Sequence, residues 1–167
     1  MNTAESTHAC LVGAIDTMTP TEYSIAPQKF FTRERKAGFK KLILLSVAAA
    51  KGTIFEDIRS FYTAIDCPPD MAPTPSAVTQ QLGKFSADAF PTVFHRFNDQ
   101  FESKTFHGFQ LLACDGTGMA FNSEWDYDCF VRGKNSYFGV HVVALYDLGA
   151  RKFVDAEIQP SRLKNEL

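Results

Sequence analysis

The amino-acid sequence predicts an α+β protein, a helical region followed by an antiparallel three-stranded sheet. Through residues 28–103 apolar side chains recur at three- and four-residue steps, and after Lys104 the period shortens toward two while β-branched and aromatic residues accumulate. With 167 residues, 45% of them hydrophobic and 16 of them Phe, the chain can bury a sizeable core as one domain or two small ones.

Residues 1–27 read as an N-terminal extension with only a weak apolar patch and no basic residues before it. From residue 28 to 64 the pattern is helical. Phe39, Leu42, Ile43, Val47 and Ala50 share one face, Gly52 breaks the pattern, and Thr53 caps a second helix running to about Ala64. Ile54, Phe55, Ile58, Phe61 and Tyr62 form the apolar side of that helix. Four prolines within Asp66 to Pro75 remove backbone donors and predict a linker or long turn. Ser76 then caps a helix over SAVTQQLGKF, weakened at its end by Gly83, and Ser86 caps another carrying Phe90, Val93, Phe94, Phe97 and Phe101. Pro91 falls in the first turns, where proline is tolerated. The pair has a helix-turn-helix outline, and residues 28–103 form the candidate DNA-binding region.

Residues 104–167 carry the strands, at 109–114, 138–146 and 152–159, with Asp147 to Ala150 as a hairpin turn between the last two. Val154, Ala156 and Ile158 alternate with Phe153, Asp155, Glu157 and Gln159, which predicts one drier face on the third strand.

Charge excludes little by itself: 17 Lys and Arg against 19 Asp and Glu leave a net charge of −2, so any nucleic-acid contact must be local. Four widely spaced cysteines fit neither a zinc site nor a disulfide framework and point to reduced thiols in a cytosol. The longest apolar run, Leu42 to Ala50, is too short to span a bilayer, so no membrane partner is expected. No GxSxG nucleophile signature and no glycine-rich phosphate loop occurs.

In GFQLLACDGTGMAF, from Gly108 to Phe121, an apolar run leads to Asp115 beside glycine. Asp-Gly is a favoured turn pair, so Asp115 reads either as a turn former or as an acid at the end of a buried strand, able to hold Mg²⁺. Glu124, Asp126 and Asp128 lack the spacing of a calcium loop and read as a solvated loop. Asp147 shapes its hairpin, Asp155 and Glu157 decorate the wetter strand face, and His95, His107 and His141 read as structural. Lys29, Arg33, Arg35, Lys36, Lys40 and Lys41, opposed only by Glu34, are either a solvated helix face or a surface that neutralises DNA phosphates. In the later helical pair, Thr79, Gln80, Gln81 and Lys84 have side chains able to meet phosphates or base edges.

In order, FTRERKAGFKKLILL, KGTIFEDIRSFY, TPSAVTQQLGKFSADAFPTVFHRFN, LLACDGTGMAF and GVHVVALYDLGARKFVDAEIQPSRLKNE resemble the N-terminal half of bacterial DDE transposases of the insertion-sequence-four group, over residues 30–166. The resemblance implies that the strands are the first three of a ribonuclease H-like domain, and that Asp115 is the first of three catalytic acids. It implies Mg²⁺ as cofactor, the terminal inverted repeats of a mobile element as DNA partner, a homodimer or synaptic assembly, and a bacterial cytoplasmic, nucleoid-associated location. The family's second aspartate and its glutamate lie downstream of the matching QPSRLKNE segment, so the chain is expected to be the N-terminal part of a transposase, inactive alone. A non-catalytic DNA-binding module that competes with a full-length transposase is the alternative. Relatives carry basic residues at the positions of Leu82 and Gly83, which shifts the expected phosphate contact from that helix to the basic cluster before residue 42.

Overall fold

A computed structural model of the chain describes residues 3–33, 35–49, 52–121, 129–132 and 136–161. The protein is α+β, with helices and antiparallel sheets distributed between two compact units, Met1–Phe97 and Asn98–Leu167.

The helical unit contains α1 (Thr3–Asp16), α2 (Phe39–Ala48), α3 (Ile54–Ala64), α4 (Pro75–Leu82) and α5 (Ala89–Asn98). Its core gathers Ile15, Met18, Phe39, Leu42, Ile43, Leu45, Ile58, Tyr62, Val78, Phe85, Ala89 and Val93. α1 replaces the extension read from sequence. Only its C-terminal end is buried, at Ala14 and Ile15, with Leu11 packed alongside, so no apolar stripe runs its whole length to announce it.

α2 begins at Phe39 instead of residue 28. Residues 26–31 form turns instead, with the Lys29 and Phe30 N–H groups both donating to the Ala26 carbonyl, and Phe31 takes a left-handed φ of 55°. The sequence that follows, from Thr32 to Lys36, is rich in charge and offers no apolar stripe to bury. At the other end the helix stops at Ala48, Val47 is exposed, and Ala50 lies outside the described residues.

α3 starts as expected. The Thr53 hydroxyl accepts from the Glu56 N–H at 3.3 Å, while the Glu56 carboxylate accepts from the Thr53 N–H at 2.8 Å. These Thr53 bonds favour the ionised form and lower the Glu56 pKa. α4 is capped by Thr74, not Ser76: the Thr74 hydroxyl accepts from the Ala77 N–H at 3.2 Å, and Pro75 takes the first helical position, where its missing donor costs nothing. α5 begins three residues after Ser86, at Ala89, and its Pro91 precedes the first turn's Thr92 N–H bond to the Asp88 carbonyl.

In the second unit a short hairpin pairs β1 (Thr105–Phe106) with β2 (Phe109–Gln110). His107 and Gly108 form its two-residue turn with φ of 49° and 84°, the conformation of a primed turn that glycine adopts without strain. The larger sheet is centred on β5 (Tyr137–Asp147). β3 (Leu112–Phe121) pairs along one edge of β5, and β4 (Phe130–Val131) and β6 (Lys152–Pro160) pair along the other. All these pairings are antiparallel. β5 and β6 match the expected strands closely, whereas the first expected strand extends through Phe121 as β3. The drier face expected of β6 is not dry, since Ala156 is exposed and Ile158 is 68% exposed.

Asp147 holds the β5–β6 turn. Its Oδ1 accepts from the Gly149 and Ala150 N–H groups at 2.8 and 2.9 Å, and its Oδ2 accepts from the Gln110 carboxamide at 2.7 Å. The Ala150 N–H foremost, then the Gln110 side chain, lower its pKa from 3.8 to about 2. A lowered carboxylate pKa means that its contribution to stability is complete above the unfolded value of 3.8 and is lost as pH falls toward 2. Acid unfolding followed by circular dichroism is therefore expected to show a transition in that window that Asp147→Asn weakens. Asp147→Ala is expected to lower the thermal midpoint at neutral pH by several degrees.

Candidate functional site

The basic residues singled out by sequence converge on one groove of the helical unit. Arg33, Arg35, Lys40 and Lys41 line a cavity of about 350 Å³ with Gly38 and Gln81. Arg35, Lys36 and Lys41 line an adjoining one of about 630 Å³, again with Gln81. All five cationic residues are exposed. The segment that carries them is held from below by Phe31, whose ring contacts Phe39 at 5.3 Å and Phe85 at 5.0 Å between centroids, and by the Tyr62 hydroxyl, which donates to the Lys36 carbonyl at 2.7 Å.

These charges are not equally available. Lys40 is ion-paired with Asp16 at 2.6 Å, and the Lys36 ammonium donates to the Asp70 carbonyl. The side chains of Arg33, Arg35 and Lys41 make no hydrogen bond or ion pair among the described residues.

α4 divides the other sequence candidates. Val78 and Gln81, three residues apart, share its buried face, so Gln81 reaches the groove while Thr79 and Gln80 face outward. The Thr79 hydroxyl donates to the Pro75 carbonyl at 3.1 Å and the Gln80 carboxamide to the Ser76 hydroxyl at 3.4 Å. Lys84 lies elsewhere, its ammonium 5.1 Å from the centre of the Phe30 ring. Lys29 is exposed and lines neither cavity. Sequence reasoning did not single out Gly38, which opens α2 without a side-chain cap, or Asp16, which neutralises Lys40. A glycine followed by FKK after a basic stretch was the available signal for the first; the second pairs residues too far apart in sequence for any local pattern.

A larger cavity of about 730 Å³, lined mainly by Leu11, Val47, Phe90, Val93, Phe94 and Phe97, is almost wholly apolar and collects none of the candidate residues.

In the sheet unit, Asp115 and Gly116 form no turn. Both lie within β3, Asp115 opposite Ala144 and Gly116 opposite Val143. The Asp-Gly pair reads as a turn only locally; the glycine serves the long-range partner instead. A Cβ at Gly116 would fall 2.6 Å from Nε2 of His141, a buried residue on β5, so the strand passes this ring only with hydrogen in that place. Nδ1 of His141 is sealed from solvent and has no hydrogen-bond partner among the described residues.

Asp115 is exposed, and its Oδ1 accepts the Gly116 N–H at 2.9 Å. Across the sheet its same-face neighbours are Ala144 and then Ala156. Asp155 and Glu157 are in register with Leu145 and Val143, which places both carboxylates on the opposite face. Among the described residues no group of three His, Cys, Asp or Glu could hold a metal ion. One carboxylate flanked by alanines does not fit Mg²⁺, which is held by carboxylates set in near-octahedral geometry. Glu124, Asp126 and Asp128 lie outside the described residues.

His95 is on α5 and His107 is in the β1–β2 turn, its ring 4.3 Å from that of Phe106. The four cysteines are free thiols, and no described helix is long and apolar enough to cross a membrane. No family model, no curated protein and no solved structure matches the chain.

Gly116→Ala is expected to destabilise the sheet unit by about 1–3 kcal/mol in chemical denaturation, the usual cost of inserting a methyl group into occupied space. His141→Ala in the same chain is expected to return part of that loss, and additive effects would mean that the two side chains do not meet. Isothermal titration of residues 1–167 with millimolar Mg²⁺ is expected to give no saturable heat, and Asp115→Asn the same trace.

Proposed function

We propose that the chain is a DNA-binding protein of the insertion-sequence-four transposase type, whose helical unit engages backbone phosphates at the ends of a mobile element. The observation that carries this reading is the convergence of Arg33, Arg35, Lys36, Lys40 and Lys41 on one groove, three of them with unpaired side chains among the described residues. An overall charge of −2 gives no general affinity for a polyanion, so such a local concentration has to supply it. Cations that neutralise phosphates release condensed counterions, which makes binding strongest at low salt.

We read the sheet unit as the first strands of a ribonuclease H-like domain, a reading supported by its long antiparallel strands β3, β5 and β6 with Asp115 on the first. Phosphodiester cleavage by such a protein needs further carboxylates beside Asp115, where Ala144 and Ala156 stand. The alanine surroundings of Asp115 favour the second reading for the described residues: DNA binding without chemistry.

Fluorescence anisotropy with a labelled duplex bearing terminal repeats, read across salt concentrations, tests the proposal. The logarithm of the binding constant is expected to fall against the logarithm of salt with a slope of about −3 to −5, matching three to five phosphate contacts. Arg35→Glu with Lys41→Glu is expected to flatten that slope and weaken binding at least tenfold. An affinity indifferent to salt would remove the phosphate-dominated contact. Binding is expected without Mg²⁺, and metal-dependent nicking abolished by Asp115→Ala would overturn the binding-only reading.

A further inference from the structure

Helices α3 and α4 each close their own beginning with a threonine hydroxyl, Thr53 and Thr74. α2 does not. Its N-cap is Gly38, which has no side chain to offer, and its first turn holds no acidic residue. The Leu42 N–H is the first bonded back into the helix, to the Gly38 carbonyl at 3.0 Å, so the N–H groups of Phe39, Lys40 and Lys41 point out of its start without intrahelical acceptors. The positive end of the helix dipole lies at the same place.

A second and independent observation points to a ligand there. Gln81, on a different helix, is 8% exposed, and its side chain has no hydrogen-bond partner among the described residues. Among the described residues, the unpartnered side-chain atoms that are sealed from solvent are Ser86 Oγ and His141 Nδ1. The Gln81 carboxamide is therefore not sealed, and the spaces it borders are the two cavities at the start of α2. With no protein partner among the described residues, that amide makes its hydrogen bonds through those cavities, to water or to an acceptor-rich ligand that takes the water's place.

We propose that the start of α2 is a discrete phosphate pocket, in which the first-turn N–H groups, the Gln81 carboxamide and the side chains of Arg35 and Lys41 hold one phosphate group. Helix N-termini bind anions through convergent backbone donors, and here a neutral side-chain donor and two unpaired cations surround the same space. The cavity of about 350 Å³ admits a phosphate together with an attached sugar. Gln81 gives the site its selectivity, because a directional amide prefers an oxygen held at one point, whereas the cations attract any anion. The pocket rests on the DNA-binding reading for the source of its phosphate, a backbone phosphodiester, and the same chemistry would also take free phosphate.

The test titrates residues 1–167 with inorganic phosphate, against chloride at equal ionic strength, and separately with the terminal-repeat duplex. Amide chemical shifts at Gly38 to Lys41 report on the pocket. Wild-type protein is expected to bind inorganic phosphate saturably in the millimolar range. Gln81→Leu is expected to weaken both ligands about tenfold, the loss typical of one hydrogen bond to a charged group. Gln80→Leu, on the outer face of the same helix, is expected to change neither. Lys41→Ala, an exposed position that leaves the core intact, is expected to weaken phosphate several-fold and guards against misfolding of the Gln81 variant. Phosphate binding that is equal in wild type and Gln81→Leu, or shifts reproduced by chloride, overturns the pocket while DNA binding by diffuse charge survives. Phosphate binding lost in Gln81→Leu, with no DNA binding by wild type, upholds the pocket and transfers its ligand to free phosphate compounds.

Discussion

Three phenylalanines determine where the positive charge of the helical unit is presented. Phe31 lies against Phe39 and Phe85, and the last two lie 4.9 Å apart, so the loop before α2, the first residue of α2 and the connection between α4 and α5 meet at one aromatic cluster. Phe31 pays for its place with a left-handed φ of 55°, a conformation costly for a bulky side chain unless its surroundings enforce it. The backbone bridge between Ser24 and Phe85 secures the same region from the other side. Without this clamp the segment from Arg33 to Lys36 would be a mobile chain whose charges average over many directions, and binding would first have to order them.

The sheet unit solves a different problem, that of a strand buried on both faces between exposed neighbours. β5 carries Val140, His141, Val143 and Asp147 as buried residues, whereas β3 is exposed along almost its whole length. Burial of His141 depends on Gly116, and the geometry of the following turn depends on Asp147. Asp115 stands on the open side of this arrangement with small apolar neighbours, where its carboxylate is exposed but is not organised into a site by the residues across the sheet.

What could be read from sequence was whatever local chemistry determines. Thr53 starts α3 because the N–H it caps lies within one turn, and Asp147 shapes its hairpin because the N–H donors it accepts from are two and three residues away. The basic cluster was visible as composition, and the α4 and α5 outline as periodicity. The failures share a physical cause, which is dependence on distant partners. α1 is helical although only its last turn is buried, and Gly116 is a strand residue because of a histidine twenty-five positions later. The alternation in β6 predicts a drier face that the structure does not have, because alternation records which side chains could be covered, and Ile158 is left uncovered among the described residues. Gln81 and its outward neighbours Thr79 and Gln80 looked equivalent as polar residues; only the packing of Val78 into the core turned one of them inward.

α2 has two duties at once. Leu42 and Ile43 anchor it at the centre of the helical core, while its first turn opens onto the groove with backbone donors that no side chain covers. A helix that supports the core through one stretch and leaves its beginning unsatisfied makes the core sensitive to what occupies that beginning. Any anion that favours the folded start of α2 over the unfolded chain raises the stability of the whole helical unit in proportion to the logarithm of its concentration. The melting behaviour of this unit is thus a property of the protein together with the anions around it, and buffers of equal pH and ionic strength are not interchangeable for it.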